Sequence, residues 1–234
     1  MTVLGIVGGI APPSTVAYYR TVIEAYGTAT GGRSPRILID SLDSEAFYEL
    51  LRRDDRDEIV RRLVAELERL AGAGAELGII ASNTGHIRFD AIRAASPIPL
   101  VGIVDAVAGA LTGRTRVGLF ATTFTINADV YGSTLPSRGI ACVVPPPEDQ
   151  GRIQAVYFGE LVNGDFREES RDELLAIARR LRDADGIDAI ILGGTELPLL
   201  LTAAEHDGIA FIDSGRLHAE AAVARMLELE DVRG

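Results

Sequence analysis

Short apolar runs recur along the chain, each ending in small or hydroxylic residues and followed by an amphipathic stretch. Val3-Leu4-Gly5-Ile6-Val7 ends in Gly8-Gly9, and the run at 77–81 ends in Ser82-Asn83-Thr84. The run at 116–120 ends in Ala121-Thr122-Thr123-Phe124-Thr125, and that at 188–192 reaches Gly194-Thr195-Glu196. An apolar run this short, bounded by turn residues, predicts a buried strand of a parallel sheet. Further strands are expected at 36–40, 100–104, 140–144 and 209–213. Between them the period changes from two to about 3.6. Val16, Tyr19, Val22 and Ile23 predict a helix to about Tyr26, with prolines in its first turn. Ile59, Val60, Leu63, Leu67 and Leu70 predict another from about Asp57 to Gly72, its Arg and Glu residues forming the solvated face. Helices are also expected at about 84–95, 150–162, 168–184 and 215–229. The segment 41–55, with Asp43, Glu45, Arg52 and Arg53, reads as a cover over a cleft.

The pattern occurs twice. Shifted by 112 positions, Gly74 falls on Gly186, Glu76 on Asp188, Ser82 on Gly194 and Asn83 on Thr195. The order βαβαβαβα, repeated, implies parallel sheets with right-handed crossovers. The expected class is α/β: two pseudo-symmetric domains, each a four-stranded parallel sheet flanked by helices, with the site in the cleft between them. Residues 1–98 with 208–234 make the first domain and 99–207 the second. The turns 8–15, 82–84, 121–125 and 194–196 would line that cleft, because open α/β sheets bind ligands beyond the carboxyl ends of their strands.

Composition narrows the chemistry. A net charge of −11 argues against nucleic acid and anionic membranes as partners. No apolar run has membrane-spanning length, and the N-terminus lacks the basic start of a signal peptide. The single cysteine, Cys142, has no internal disulfide partner, so a reducing cytoplasm is expected. All 23 basic residues are arginine. Without lysine there is no Schiff-base chemistry, pyridoxal phosphate included, and no P-loop. His86, His206 and His218 are scattered, with no H-x-x-x-H or C-x-x-C, so no metal is expected. No G-x-S-x-G surrounds Ser82, and the first turn is not G-x-G-x-x-G.

The turns are rich in hydroxyl and amide groups: Ser14, Thr15, Ser82, Asn83, Thr84, Thr122, Thr123, Thr125 and Thr195, with Gly9 and Gly194 beside them. Such groups and backbone N–H donors suit a small carboxylate. The first turn reads as an anion site at a helix N-terminus or as an ordinary βα turn. His86 either packs or moves a proton. Glu196 either favours the helix dipole, binds an amino group or carries a proton. Asp105 and Asp213 stand at equivalent strand ends as helix caps. Arg52, Arg53 and Arg152 either hold a distal carboxylate or lie on the surface. Cys142 reads as a buried structural thiol in mid-strand.

The stretches GGIAPPSTVAYYR (8–20), ASNTGH (81–86), ATTFT (121–125) with Asn127, Asp129 and Tyr131 after it, and LGGTELPLL (192–200) occur in order over nearly the whole chain. Together they resemble the aspartate/glutamate racemase superfamily, in particular its broad-specificity amino-acid racemase branch. The resemblance implies a cofactor-independent enzyme with two facing domains and, by analogy, a homodimer. It also implies one cysteine from each domain beside the substrate α-carbon, one thiolate removing the proton and the other thiol returning one. The matching positions here are Ser82 and Gly194. The implied function is that of an amino-acid racemase or isomerase acting on or binding an Asp/Glu-like amino acid or dicarboxylate without the usual thiol pair. Catalytic candidates are Ser82, His86 and Glu196. Substrate-binding candidates are Gly9, Ser14, Thr15, Asn83, Thr84, Thr122, Thr123, Thr125, Gly194 and Thr195. The alternatives are a lyase or decarboxylase on the same fold, or a catalytically silent carboxylate-binding homologue.

Overall fold

Strands and helices alternate through the computed structural model, which describes residues 1–232. The first compact unit comprises Met1–Ala106 together with the C-terminal stretch that begins at Gly215, and the second is Val107–Ser214.

In the first unit β1 (Val3–Gly8) leads into α1 (Pro12–Thr30), then β2 (Arg36–Ser41), α2 (Ser44–Arg52), α3 (Arg56–Gly72) and β3 (Leu77–Ile80). The sheet order is β2-β1-β3, all parallel, with Val7 opposite both Asp40 and Ile80. The segment expected to cover a cleft is largely the helix α2. The Asp43 carboxylate accepts from the N–H groups of Glu45 and Ala46, and Phe47 and Leu51 turn into the core.

Two expectations fail after β3. The helix expected over 84–95 is a 3-10 turn, Thr84–His86, separated from α4 (Phe89–Ala95). Arg88, with φ of 50°, is left-handed and interrupts the helical path. The strand expected at 100–104 shrinks to one parallel bridge, Gly78 to Leu100, and α5 (Ile103–Ala110) begins instead. Five apolar residues do not by themselves distinguish a buried strand from a buried helix start. Asp105 in the first turn of α5 favours the helix through its dipole.

The second unit runs β4 (Arg116–Ala121), α6 (Thr123–Asn127), β5 (Ala141–Val143), α7 (Pro147–Gly159), α8 (Glu168–Asp185), β6 (Ala189–Gly193), α9 (Leu197–Leu200), β7 (Glu205–His206) and β8 (Ile209–Asp213). From there α10 (Ser214–Asp231) returns the chain to the first unit. The sheet order is β5-β4-β6-β8-β7, parallel except for β7. If the Leu100 bridge stands for a fourth strand, the first sheet has the same order as β5-β4-β6-β8. The repeat is therefore one of topology. The second sheet adds a hairpin edge that the pattern of apolar runs did not predict. Asp207 and Gly208 both have positive φ, as a two-residue type I′ turn needs.

The sequence-based boundaries at 98/99 and 207/208 lie eight and seven residues short of those between the compact units, 106/107 and 214/215. Leu100 pairs with the first sheet, whereas β8 pairs with β6 in the second. The first core joins Tyr18, Val22 and Tyr26 of α1 to Leu4, Ile6, Leu77 and Ile79 of the sheet and to Ala222 and Met226 of α10. The second joins Phe120, Ile190 and Leu192 to Ile153, Val156 and Tyr157 of α7 and to Leu174 and Ile177 of α8. No helix among the described residues is long and apolar enough to cross a membrane.

Candidate active-site turns

In the first unit the turn after β1 is tied from within. The Gly9 N–H donates to Thr15 Oγ1 at 2.9 Å, and Leu42 N–H donates to the Gly8 carbonyl at 3.1 Å. Gly9 has φ of 85°, and a Cβ there would lie 2.2 Å from the Leu42 carbonyl oxygen, so only glycine fits. The expected anion site at the start of α1 is poorer in donors than the glycines suggested. Pro12 and Pro13 supply no N–H, leaving Ser14 as the only one of the first three helical residues that carries one. Ser14 and Thr15 are both buried.

The turn after β3 buries Ser82, Asn83, Thr84 and His86. The Ser82 hydroxyl accepts from Gly85 N–H at 3.3 Å. The His86 ring is fixed by backbone on both sides. A backbone N–H can only donate and a carbonyl can only accept. Ile103 N–H therefore donates to His86 Nε2 at 3.0 Å, and His86 Nδ1–H donates to the Ser82 carbonyl at 2.8 Å. Neither nitrogen remains to exchange a proton with a ligand in this arrangement. Of the two roles open to His86 in the sequence, the geometry gives it the packing one. Burial, reinforced by neighbouring His218, holds its pKa well below the ordinary imidazole range.

His218, on α10, takes the opposite tautomer. Its Nε2–H donates to the Val101 carbonyl at 2.9 Å, and its Nδ1 accepts from the Tyr18 hydroxyl at 2.9 Å. Burial lowers its pKa to about 4, so the ring is neutral near pH 7. The two imidazoles meet edge to face with centroids 5.3 Å apart. Together they clamp the stretch 101–103 between the turn at Ser82, α1 and α10. Sequence reasoning noted His218 only as isolated, since the partners of a lone histidine lie far away along the chain.

In the second unit the turn after β4 is a capped helix start. Thr122 Oγ1 accepts from Thr125 N–H at 3.4 Å and lies 3.3 Å from Thr125 Oγ1, both side chains being buried. Thr123 N–H donates to Gln154 Oε1 of α7 at 2.9 Å. Gln154 carried no sequence signal, because only the packing of α7 brings it to the turn.

The turn after β6 differs most from expectation. Glu196 is 1% exposed and stands at the N-cap of α9, yet its side chain makes no capping bond. The carboxylate Oε2 accepts instead from the Tyr157 hydroxyl and, at 2.8 Å, from Thr195 Oγ1. Gly194 carries no side chain because the Tyr157 ring fills its place. A Cβ at 194 would sit 2.6 Å from Tyr157 Cε2 and 3.3 Å from Leu197 Cδ1. Tyr157 was not predicted as a site residue, being one more large apolar residue on a core-facing helix.

The remaining charged candidates are engaged elsewhere. Arg52 pairs with Glu45 and Glu49, Arg53 with Asp55 and Arg152 with Glu173, on exposed surface. Asp105 pairs with Arg93 at 2.5 Å. Burial, with Asp129 nearby, pushes the Cys142 thiol up to about 12, so it is no thiolate near neutral pH. Among the described residues no three His, Cys, Asp or Glu side chains gather as a metal site.

Known proteins share this fold. A candidate Asp/Glu racemase from Yersinia pestis is 31% identical and superposes with a TM-score of 0.88, covering 97% of this chain and 100% of that one. An aspartate racemase homologue from Pyrococcus horikoshii, also 31% identical, gives 0.80 over 99% and 100%. The glutamate racemase of Shewanella woodyi is 30% identical over 187 residues, 76% of this chain and 64% of that enzyme's length. The profile of Asp/Glu/hydantoin racemases matches residues 7–222, taking in all four polar turns, and the chain belongs to that family.

Proposed function

We propose that the protein is a cofactor-independent isomerase-type enzyme acting at the α-carbon of a small amino acid or dicarboxylate of the Asp/Glu kind, without the thiol pair that the resemblance implies. The observation that carries this reading is the set of buried hydroxyl, amide and carboxylate groups at the carboxyl ends of β1, β3, β4 and β6, within a chain of this family. Ligands of open parallel sheets bind at such ends. Ser14, Asn83, Thr84, Thr122, Thr123 and Thr195 are the proposed carboxylate-binding groups, and Glu196 the proposed proton carrier. Hydrogen-bond donors on the substrate carboxylate stabilise the enediolate that forms when the α-proton leaves. The absence of lysine supports chemistry without pyridoxal phosphate. A homodimer, implied by the resemblance, belongs to this reading and is checked by light scattering.

The test is α-proton exchange in deuterium oxide, followed by NMR with both configurations of aspartate and glutamate, alongside calorimetric binding of the same acids. Exchange accompanied by loss of configuration is the expected result. Binding without exchange would mark a silent carboxylate-binding homologue, and neither binding nor exchange would sink the reading. A second reading, a lyase or decarboxylase, draws support from the unlikeness of the turns after β3 and β6. Only the latter offers an ionisable pair, and decarboxylation needs a proton on one face alone. Release of carbon dioxide from a substituted malonate would favour it.

A further inference from the structure

The turn after β6 holds a proton-bearing pair that neither the sequence nor the family match assigns. Tyr157 comes from α7, and Glu196 follows the strand end directly. The carboxylate is almost wholly buried, and a buried carboxylate needs donors to offset lost hydration. Two hydroxyls, those of Tyr157 and Thr195, converge on its Oε2. Thr195 is only partly buried, so the turn reaches solvent at that residue. The missing side chain at 194 and the ring that occupies its place are one feature: the phenol stands where a side chain from the strand end would otherwise project.

We propose that Tyr157 and Glu196 form the acid–base unit of this turn, with the Tyr157 oxygen exchanging a proton with the substrate α-carbon and Glu196 exchanging the phenolic proton. The inference rests on the α-carbon chemistry proposed above. In the forward step the Cα–H bond breaks and its electron pair passes into the substrate carboxylate as an enediolate. The hydrogen bonds to the Tyr157 oxygen while the phenolic hydrogen moves to Glu196. The reverse sequence returns a proton to the carbon. No oxidant, reductant or further reactant is needed. A phenol without its carboxylate would be a weak base near neutral pH, which is why the pair and not the tyrosine alone is assigned.

The experiment follows α-proton exchange of aspartate and glutamate in deuterium oxide across a pH series, with the full chain and with Tyr157→Phe and Glu196→Gln. Tyr157→Phe is expected to lower saturated exchange by about 10²–10⁴-fold, the usual contribution of a positioned acid or base, with ligand affinity little changed. Glu196→Gln, which can keep the hydrogen bond but cannot take up the phenolic proton, is expected to lower exchange by a similar factor. A merely structural tyrosine would leave exchange at the wild-type rate in folded Tyr157→Phe. If Tyr157→Phe unfolds, Gly194→Ala keeps both groups and displaces only the ring, and it too is expected to slow exchange. Wild-type exchange undiminished in the folded variants overturns the inference and leaves the isomerase reading standing. A wild type that binds these acids but exchanges none of them overturns both.

Discussion

The turn after β3 and the turn after β6 occupy corresponding places in two sheets whose β2-β1-β3 and β5-β4-β6 portions follow the same order, yet their polar groups are used differently. At the first, His86 is spent on backbone, one nitrogen on Ile103 and the other on Ser82. At the second, the Glu196 side chain makes no capping bond to the helix it heads and accepts from two hydroxyls. A histidine beside a strand end looks like the better acid or base, and a glutamate at a helix start looks like a dipole partner. Hydrogen-bond direction gives His86 two backbone partners and the Glu196 carboxylate two hydroxyl donors. Titratability by itself says little about function until the partners of each proton are named.

The comparison breaks most visibly at His86. His86→Leu leaves the Ile103 N–H and the Ser82 carbonyl without their partner in the core. Each orphaned buried group costs about 1–3 kcal/mol, so a loss of about 2–6 kcal/mol is expected in urea denaturation. A loss below about 1 kcal/mol would show that the ring is no clasp.

The next effect is acid sensitivity. His218 has a folded pKa near 4, below its unfolded value near 6.5, so the unfolded chain binds the extra proton first. Stability from this group is complete above pH 6.5 and falls by about 1.4 kcal/mol per pH unit down to pH 4. His86, lowered by the same burial, adds to the slope with the same sign. Denaturation midpoints measured from pH 7 to 4 check this, and a flat profile in the wild type would count against the neutral pair.

Smaller effects distinguish the two turns at their first residues. Gly194→Ala forces the Tyr157 ring aside and is expected to cost about 1–3 kcal/mol, as overpacking does. Ser82→Ala removes a single 3.3 Å acceptor for the Gly85 N–H and is expected to cost about 1 kcal/mol. Equal losses would erase the difference between the turns. The same clash means that placing a thiol at 194 requires a smaller residue at 157. The smallest effect belongs to Cys142. With its thiol near 12, iodoacetamide is expected to label the folded protein slowly at pH 7.5, and Cys142→Ala to leave any exchange activity unchanged. Rapid labelling, with loss of activity, would return the cysteine to the list of functional groups.

Much of the architecture was legible because buried parallel strands have to be apolar throughout and to end in turns. The runs at 3–7, 77–81, 116–120 and 188–192 met both conditions and appear as β1, β3, β4 and β6. The run at 100–104 met the first condition as well but keeps only the bridge at Leu100 and gives its last two residues to α5, since a five-residue apolar stretch satisfies either period. The hairpin of β7 and β8 was missed although Asp207-Gly208 is a turn signal. A two-residue strand has too little pattern of its own to register.

The sequence by itself determined the α/β class, the doubling of the chain, the four polar turns and the exclusion of lysine chemistry. Those follow from local periodicity and from which side chains exist at all. Only the tertiary structure decided what the turn residues do. The tautomer of His86 depends on Ile103, that of His218 on Val101, and the setting of Glu196 on Tyr157, a residue 39 positions away. Hydrogen bonds are directional and short, so the role of a donor or acceptor is settled by the atom packed against it, and packing between distant segments leaves no periodic trace in the chain.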